Sequence, residues 1–258
     1  MAALVLSSAL GVSAVSVPLV ASAQISLGVN ISIGTPPPPL PVYDQPAAPG
    51  PDYLWTPGYW SWSPQAFFYW VPGAWVLPPA VGMLWTPGYW GWEANQYHWH
   101  PGYWGHDVGF YGGINYGYGY FGTGYSGGRW RDNHFYYNTA VTRVNTGSVH
   151  NVYVDKTVIH NSNNRVSYNG GTGGVAMRQT AAQQRAFASQ QHMAATQVQR
   201  NAQDAAQRDP ARRYDAGHPT AGPAAGSHAP AENRTPVSNR TPTQSRAPDL
   251  GRTPAVVG

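Results

Sequence analysis

The feature that most constrains this chain is a tryptophan motif repeated at nearly constant spacing. The pattern Trp-x-Pro-Gly-x-Trp occurs four times, and successive copies begin 15, 15 and 14 residues apart. A longer period is also present, because residues 54–62 (LWTPGYWSW) recur thirty residues later as 84–92 (LWTPGYWGW). Self-similarity at a fixed period is the signature of repeated structural units. The sequence therefore predicts two tandem 30-residue units within residues 54–105.

Short β-hairpins are the expected form of these units. Placing turns between the aromatic runs sets tryptophans opposite one another in the pairs Trp60–Trp70, Trp90–Trp99 and, around the Pro-Pro segment, Trp75–Trp85. Pro-Gly fits the central positions of a type II turn, with glycine at positive φ. Such turns would also pair Trp55 with Trp60, and Trp70 with Trp75. Because type II turns splay right-twisted strands, the alternative is that the Pro-Gly steps are corners that break the row.

Eight tryptophans would then share one face of a sheet. They are the first and last residues of the four motifs: Trp55, Trp60, Trp70, Trp75, Trp85, Trp90, Trp99 and Trp104. The main interpretation is a core, because few aliphatic residues are available to fill one. The alternative is an aromatic binding surface that stacks on the rings of a neutral glycan or of peptidoglycan.

The four motifs, together with the Gly- and Tyr-rich run that follows them, resemble the bacterial WXXGXW repeat proteins, also written YXWGXW, of the group described as BcpO-related. The resemblance covers the motif region and the run as far as Tyr125. It implies export and a tryptophan repeat, and it brings no established activity with it.

Charge is divided sharply along the chain. No lysine or arginine precedes Arg129, and all fifteen basic residues lie from Arg129 onward. Nucleic-acid binding is disfavoured, because it needs basic residues among the stacking aromatic rings. The chain also lacks cysteine, which excludes disulfides and thiolate chemistry.

The N-terminus has the pattern of a signal peptide. Residues 1–20 are apolar and small, and Ala21-Ser22-Ala23 is an acceptable cleavage sequence that makes Gln24 the mature start. A membrane anchor is the alternative, but the apolar run is short and interrupted by serines. We therefore expect a periplasmic or secreted protein that is not transmembrane after cleavage, with outer-membrane association as a further option.

The remaining segments have distinct compositions. We expect a strand and a Pro-rich linker over 24–53, a Gly/Tyr-rich segment that is either strand or irregular loop over 106–128, and short strands over 129–175. An Ala/Gln-rich region, 176–208, predicts one long helix. Residues 209–258 have the composition of a disordered tail.

Residues with catalytic or metal-binding chemistry are sparse. His98, His100 and His106 form one histidine group, near Asp107, which we interpret as a chance cluster. We find no paired carboxylates, nucleophile elbow or phosphate loop, and expect no enzyme, cofactor or metal.

The sequence thus predicts a mainly β protein with tandem Trp-rich hairpins, a small β-rich segment, one helix and a tail. The expected role is structural or interactive at the cell envelope, with envelope proteins or polysaccharide as partners.

Overall fold

The computed structural model describes residues 31–159 and 164–215, and short strands dominate it. The predicted signal peptide, 1–23, lies outside the described residues. So does most of the strand expected near the mature N-terminus, of which β1 (Ser32–Ile33) is described. The mainly β fold class with repeated hairpins is confirmed.

The first repeat is a single long hairpin. Its four strands are β2 (Leu54–Thr56), β3 (Tyr59–Ser63), β4 (Phe67–Val71) and β5 (Ala74–Val76). The inner strands β3 and β4 pair antiparallel, and the outer strands β2 and β5 continue the same register. Each arm is therefore interrupted once, at its Pro-Gly dipeptide, and the two interruptions face each other.

The second repeat has the same construction. Its strands are β6 (Leu84–Thr86), β7 (Tyr89–Glu93), β8 (Gln96–His100) and β9 (Tyr103–Gly105). Here too the inner pair β7–β8 and the outer pair β6–β9 share one register. The periodicity in the sequence thus corresponds to two equivalent hairpins, each holding two motifs.

Tryptophans face tryptophans across both hairpins. The predicted pairs Trp60–Trp70 and Trp90–Trp99 are confirmed, with ring centroids 5.3 and 5.4 Å apart. Two further pairs form in the outer strands, with centroids 5.4 and 5.2 Å apart: Trp55–Trp75 and Trp85–Trp104.

The pairings predicted across the Pro-Gly turns are wrong, as is the pairing of Trp75 with Trp85. Residues 57–58 and their counterparts do not reverse the chain. Each Pro-Gly step continues its arm of the hairpin, because the strand before it and the strand after it pair with the same partner arm. The motif glycines also lack the positive φ that a type II turn requires. The Pro-Gly steps are thus corners, and the single row of eight tryptophans does not form.

Space, rather than backbone conformation, explains the motif glycines. A Cβ added to Gly58 would lie 2.3 Å from Cζ2 of Trp70, and one added to Gly73 would lie 2.4 Å from Cζ2 of Trp55. In the second hairpin, a Cβ on Gly88 would lie 2.5 Å from Cζ2 of Trp99. The first tryptophan of each motif thus covers the glycine of the motif on the opposite arm.

The hairpins reverse at their tips, where the backbone has positive φ. Ala94 and Asn95 form a two-residue turn with φ of 47° and 63°. Two consecutive positive φ values match the twist of paired strands, as in type I′ turns. The first tip has a three-residue connection, 64–66, and Phe67 after it has φ of 52°.

The Gly/Tyr-rich segment packs against both hairpins and forms hydrogen bonds with them. It contains a small hairpin of β10 (Asn115–Gly117) and β11 (Tyr120–Phe121), so both strand and loop are present. The Tyr120 hydroxyl donates to the Trp85 carbonyl at 2.9 Å and lies 3.4 Å from the equivalent carbonyl of Trp55. The Tyr116 hydroxyl donates to the Gly88 carbonyl at 2.6 Å. These tyrosines fill the core between the repeats.

Short strands complete the β structure. They are β12 (Gly128–Arg131), β13 (His134–Asn138), β14 (Val152–Tyr153) and β15 (Tyr168–Asn169). β12, β13 and β14 form one sheet, and the order β1-β8-β7-β15 forms another. The expectation of short strands over 129–175 holds here.

The helical region is confirmed, although it holds two helices rather than one. These are α1 (Ala181–Ser189) and α2 (Gln197–Arg208), each beginning at a threonine N-cap. Residues 190–196 separate them because Met193 pairs with Trp104 as an isolated β-bridge, and Thr196 starts a new capping box.

The predicted tail also starts too early. Residues 210–212 form a short 3-10 helix, and Arg213 bridges to Tyr69. The N–H of Tyr214 donates to the Phe68 carbonyl at 2.8 Å. Residues 216–258 lie outside the described residues.

Substitution of a motif glycine should destabilise the fold sharply. In Gly88→Ala the new methyl group would meet the Trp99 ring and lie 2.8 Å from two backbone atoms of the opposite arm. We expect a loss of about 3 kcal/mol in the free energy of unfolding, at the upper end of overpacking costs. Denaturant titration followed by tryptophan fluorescence measures it.

Gly34→Ala is the matched control, because a Cβ there meets nothing within 4 Å. Its free energy of unfolding should stay constant or rise by up to about 1 kcal/mol. Equal losses in both variants would contradict the packing role of Gly88.

The buried tyrosines make the fold sensitive to alkali. Burial raises the pKa of Tyr111, Tyr116, Tyr120 and Tyr137 well above the ordinary value of 10. The unfolded chain releases these protons near pH 10 while the folded chain retains them. The contribution of these tyrosines to the free energy of unfolding is therefore constant below pH 10 and falls above it, by about 1.4 kcal/mol per pH unit for each tyrosine.

Tyrosinate absorbance and circular dichroism, recorded together during alkaline titration, test this. Both should change in one cooperative step. In Tyr116→Phe the pH slope should be shallower by about 1.4 kcal/mol per pH unit, whatever the loss of its hydrogen bond does at neutral pH. Ionisation of these tyrosines near pH 10 without unfolding would refute their burial.

Candidate functional site

A cavity of about 90 Å³ lies where the Pro-Gly steps of the two hairpins face each other. All four motif prolines line it, and α2 lies across it. The other lining side chains that matter here are Tyr59, Trp85, Trp99, Tyr116, Gln199 and Gln203. The cavity is thus built from both repeats, the Gly/Tyr-rich segment and the helix.

The Tyr59 and Trp99 rings join the two hairpins at this cavity. They stack with centroids 5.1 Å apart and an interplanar angle of 18°. Trp99 is the one motif tryptophan of the eight that is only partly buried. Among these eight rings, the accessible surface is therefore confined to Trp99.

Helix α2 covers the cavity through glutamine side chains. The Tyr59 hydroxyl donates to Oε1 of Gln203 at 3.2 Å, and Nε2 of Gln203 donates to Oγ of Ser61 at 3.4 Å. On the second hairpin, Nε1 of Trp104 donates to Oε1 of Gln199 at 2.9 Å. Two amide groups, together with the small side chains of Ala195 and Ala202, thus close this side of the cavity.

The last tryptophan of every motif directs its indole N–H out of its own hairpin. The acceptors are carbonyl or amide oxygens of other segments, at 2.8–3.0 Å: Trp60 to Pro39, Trp75 to Pro46, Trp90 to Trp60 of the other hairpin, and Trp104 to Gln199. The first tryptophans behave differently, since the buried Nε1 atoms of Trp55 and Trp70 have no partner among the described residues. The first tryptophan of a motif therefore packs, and the last one also holds another segment.

The lining of the cavity carries no carboxylate and no basic side chain. Burial, and then the neighbouring Tyr69, raise the pKa of Tyr59. Burial also raises the pKa of Tyr116. Both phenols are therefore protonated at neutral pH, and the site can stack and exchange hydrogen bonds without net charge.

The eight tryptophans considered as a glycan surface lie mostly in the core. Seven of them are at most 7% exposed, and only Trp99 is partly accessible. The cavity beside Trp99 is also well below the roughly 300–1,000 Å³ of ordinary small-molecule pockets. Burial of the other seven rings supports the core interpretation.

The histidine group is dispersed over different contacts. Nε2 of His100 lies 3.0 Å from Oε1 of Glu93, and its ring stacks on Tyr89 at 4.5 Å. Burial lowers the pKa of His100, and Glu93 opposes this. His106 lies instead beside Gly82. Within residues 31–159 and 164–215, no three His, Asp or Glu side chains are placed to hold a metal ion.

In the described part of the chain, no helix combines the length and apolarity needed to cross a bilayer.

The sequence does not indicate that α2 contributes to this site. It predicts the Pro-rich segment as a linker, although Pro39 and Pro46 accept the indole N–H groups of Trp60 and Trp75. In α2, the signal was the pair Ala202 and Ala206, one turn apart, beside Gln199 and Gln203. Such small and amide residues do not form an apolar stripe, so the sequence does not indicate which face of the helix packs against the repeats.

Comparisons with known proteins agree with the repeat geometry. A family model described as the WXXGXW repeat matches two copies, at residues 50–76 and 81–104. No curated protein and no solved structure matches the chain. Each matched copy contains one of the two hairpins, except that the second ends one residue before β9 does. The chain thus carries two copies of the WXXGXW repeat, and each copy folds as one interrupted hairpin.

Proposed function

We propose that this chain is an exported protein of the cell envelope with a structural or interaction role. In this role, the paired repeats act as a rigid frame that holds extended segments of polypeptide. Export is supported by the apolar N-terminus and by Ala21-Ser22-Ala23. The periplasm, with outer-membrane association as an option, is the compartment that we infer. The BcpO-related grouping is our interpretation of the same motifs and their Gly/Tyr-rich continuation.

The observation that carries the interaction role is the outward orientation of four indole N–H groups. Two of them hold carbonyl groups of the Pro-rich segment, at Pro39 and Pro46. A carbonyl oxygen is present in every peptide, so an indole donor on a rigid strand can hold a segment without reading its side chains. Tryptophan is also enriched at protein interfaces for this combination of ring area and donor.

A glycan-binding module is the second candidate, and Trp99 is the observation that favours it. Its ring is partly accessible and already stacked on Tyr59. The neutral lining suits an uncharged sugar, but the small size of the cavity opposes it. We therefore place it after the interaction role.

Export predicts a defined mature N-terminus. N-terminal analysis of the protein from an envelope fraction should give Gln24, because cleavage follows Ala23. Replacing Ala23 with a bulky residue (Ala23→Phe) should block processing and leave the longer form. An unprocessed chain found only in the cytoplasm would contradict export.

The two candidate functions differ in what the mature protein should capture. A photo-crosslinking residue at Trp92, which is 36% exposed, or at Phe67, which is 68% exposed, should form a discrete adduct with an envelope protein in cells. The same protein should not be retained on peptidoglycan or envelope polysaccharide at high salt, where attraction from the basic region is screened.

The control places the crosslinker at Gln197, on the exposed face of α2. The interaction role predicts fewer adducts from this position. Salt-resistant retention on a glycan that disappears in a folded Trp99→Ala variant would favour the second candidate instead.

A further inference from the structure

Trp75 and Trp104 occupy equivalent positions in the two repeats. Each lies on the closing strand of its hairpin and pairs with the first tryptophan of the opening strand. Each also donates its indole N–H to an oxygen outside its hairpin. Because the two indole N–H groups have equivalent positions, we expect them to bind similar acceptors.

Their acceptors differ in kind. Trp75 binds the backbone carbonyl of Pro46 at 2.8 Å, and Trp60 binds that of Pro39 at 3.0 Å. The first hairpin thus holds an extended, proline-rich segment of this same chain. Trp104 instead binds Oε1 of the Gln199 side chain at 2.9 Å. A helix side chain thus occupies the position where the first repeat holds a peptide carbonyl.

Helix α2 is attached unevenly to the two hairpins. On the first hairpin, its single buried residue, Ala206, packs with Ala66, Tyr69 and Val71. On the second hairpin, the helix offers Gln199, and the preceding Met193 makes two backbone hydrogen bonds with Trp104. The contact over the second repeat therefore combines these hydrogen bonds with the packing of Met193 and Ala195 against the core and of the His192 ring on Tyr103. The hydrogen bonds each contribute little net stability in exchange with water.

The surface beneath α2 suits the same class of ligand as the first hairpin. It offers the half-buried Trp99 ring, the four motif prolines and no charged side chain. Extended proline-rich segments dock on aromatic grooves of this kind, because their backbone is already ordered and its carbonyls are free to accept hydrogen bonds.

We propose that the second repeat is a binding site for an extended proline-rich peptide of a partner chain, centred on Trp104 and Trp99 and covered here by α2. In the bound state, a peptide carbonyl replaces Oε1 of Gln199 as the acceptor of the Trp104 indole N–H. This inference rests on the proposed interaction role and names its ligand class. Residues 190–208 would then compete with that ligand for the binding site.

The test uses the mature full-length chain and a synthetic peptide with the sequence of residues 35–51. Calorimetric titration should give weak binding to the wild type, since only the uncovered fraction is competent. Gln199→Ala removes the bond to Trp104 and also the capping bond that Oε1 accepts from the Thr196 N–H. Both losses loosen the cover, and we expect the apparent affinity to rise about 5-fold. Adding Trp104→Phe to that variant should abolish the gain, because phenylalanine keeps a ring but has no N–H donor.

Gln197→Ala is the matched control within the same helix. Gln197 is exposed, and within the described part of the chain it bonds only to Arg200 and Asn201 of α2. Its substitution should therefore leave peptide affinity at the wild-type value. A second probe peptide with every proline replaced by alanine should bind no better to Gln199→Ala than to the wild type. This probe keeps the test decisive if the Trp104 variant fails to fold.

Equal peptide affinity in Gln199→Ala and Gln197→Ala would overturn the proposal. Tighter binding of a peptide of residues 193–214 than of the peptide of residues 35–51 would also overturn it. The surface would then be only the packing surface of its own helix. Failure of export would contradict the proposed function while leaving these titrations unchanged, so the two failures are distinguishable.

Discussion

The contact of an indole ring with a bare glycine backbone is the constraint on which the rest of this structure depends. In both hairpins, the first tryptophan of a motif covers the glycine of the motif on the opposite arm. Proline beside that glycine interrupts the ladder and removes a backbone donor, and the indole fills the gap. The four resulting cross-strand tryptophan pairs add roughly 2–6 kcal/mol beyond simple burial. That is a large share of the 5–15 kcal/mol typical of a folded domain.

Once these contacts fix the hairpins, the remaining segments attach through hydrogen bonds from rings. Tyr116 and Tyr120 hold backbone carbonyls between the repeats, and the last tryptophan of each motif holds a segment outside its hairpin. Aromatic side chains thus provide both the apolar volume and the polar contacts of a chain with few aliphatic residues. The same chemistry explains why the candidate site is neutral.

The sequence was most informative where a residue pattern is compatible with only one local structure. The repeat period and the inner pairs Trp60–Trp70 and Trp90–Trp99 could be predicted, because polar tip residues determine where each hairpin reverses. The outer pairs could not, since Pro-Gly normally indicates a turn and only the three-dimensional packing of Trp70 on Gly58 shows that it is a corner. The site was missed for a related reason. Its cover is a polar helix, which lacks the apolar periodicity by which buried segments are recognised.

The different tips of the two hairpins explain the irregular spacing of the motifs. The first tip connects its strands through 64–66, whereas the second uses only Ala94 and Asn95. This one-residue difference accounts for the interval of 14 instead of 15, and it moves no tryptophan relative to its partner, because both arms keep their register. Tip length is therefore free to vary among copies of such a repeat, while the interval from tryptophan to tryptophan within a motif is not. Related repeats should accordingly be sought by the six-residue motif taken in facing pairs, with the interval between the pair members left open.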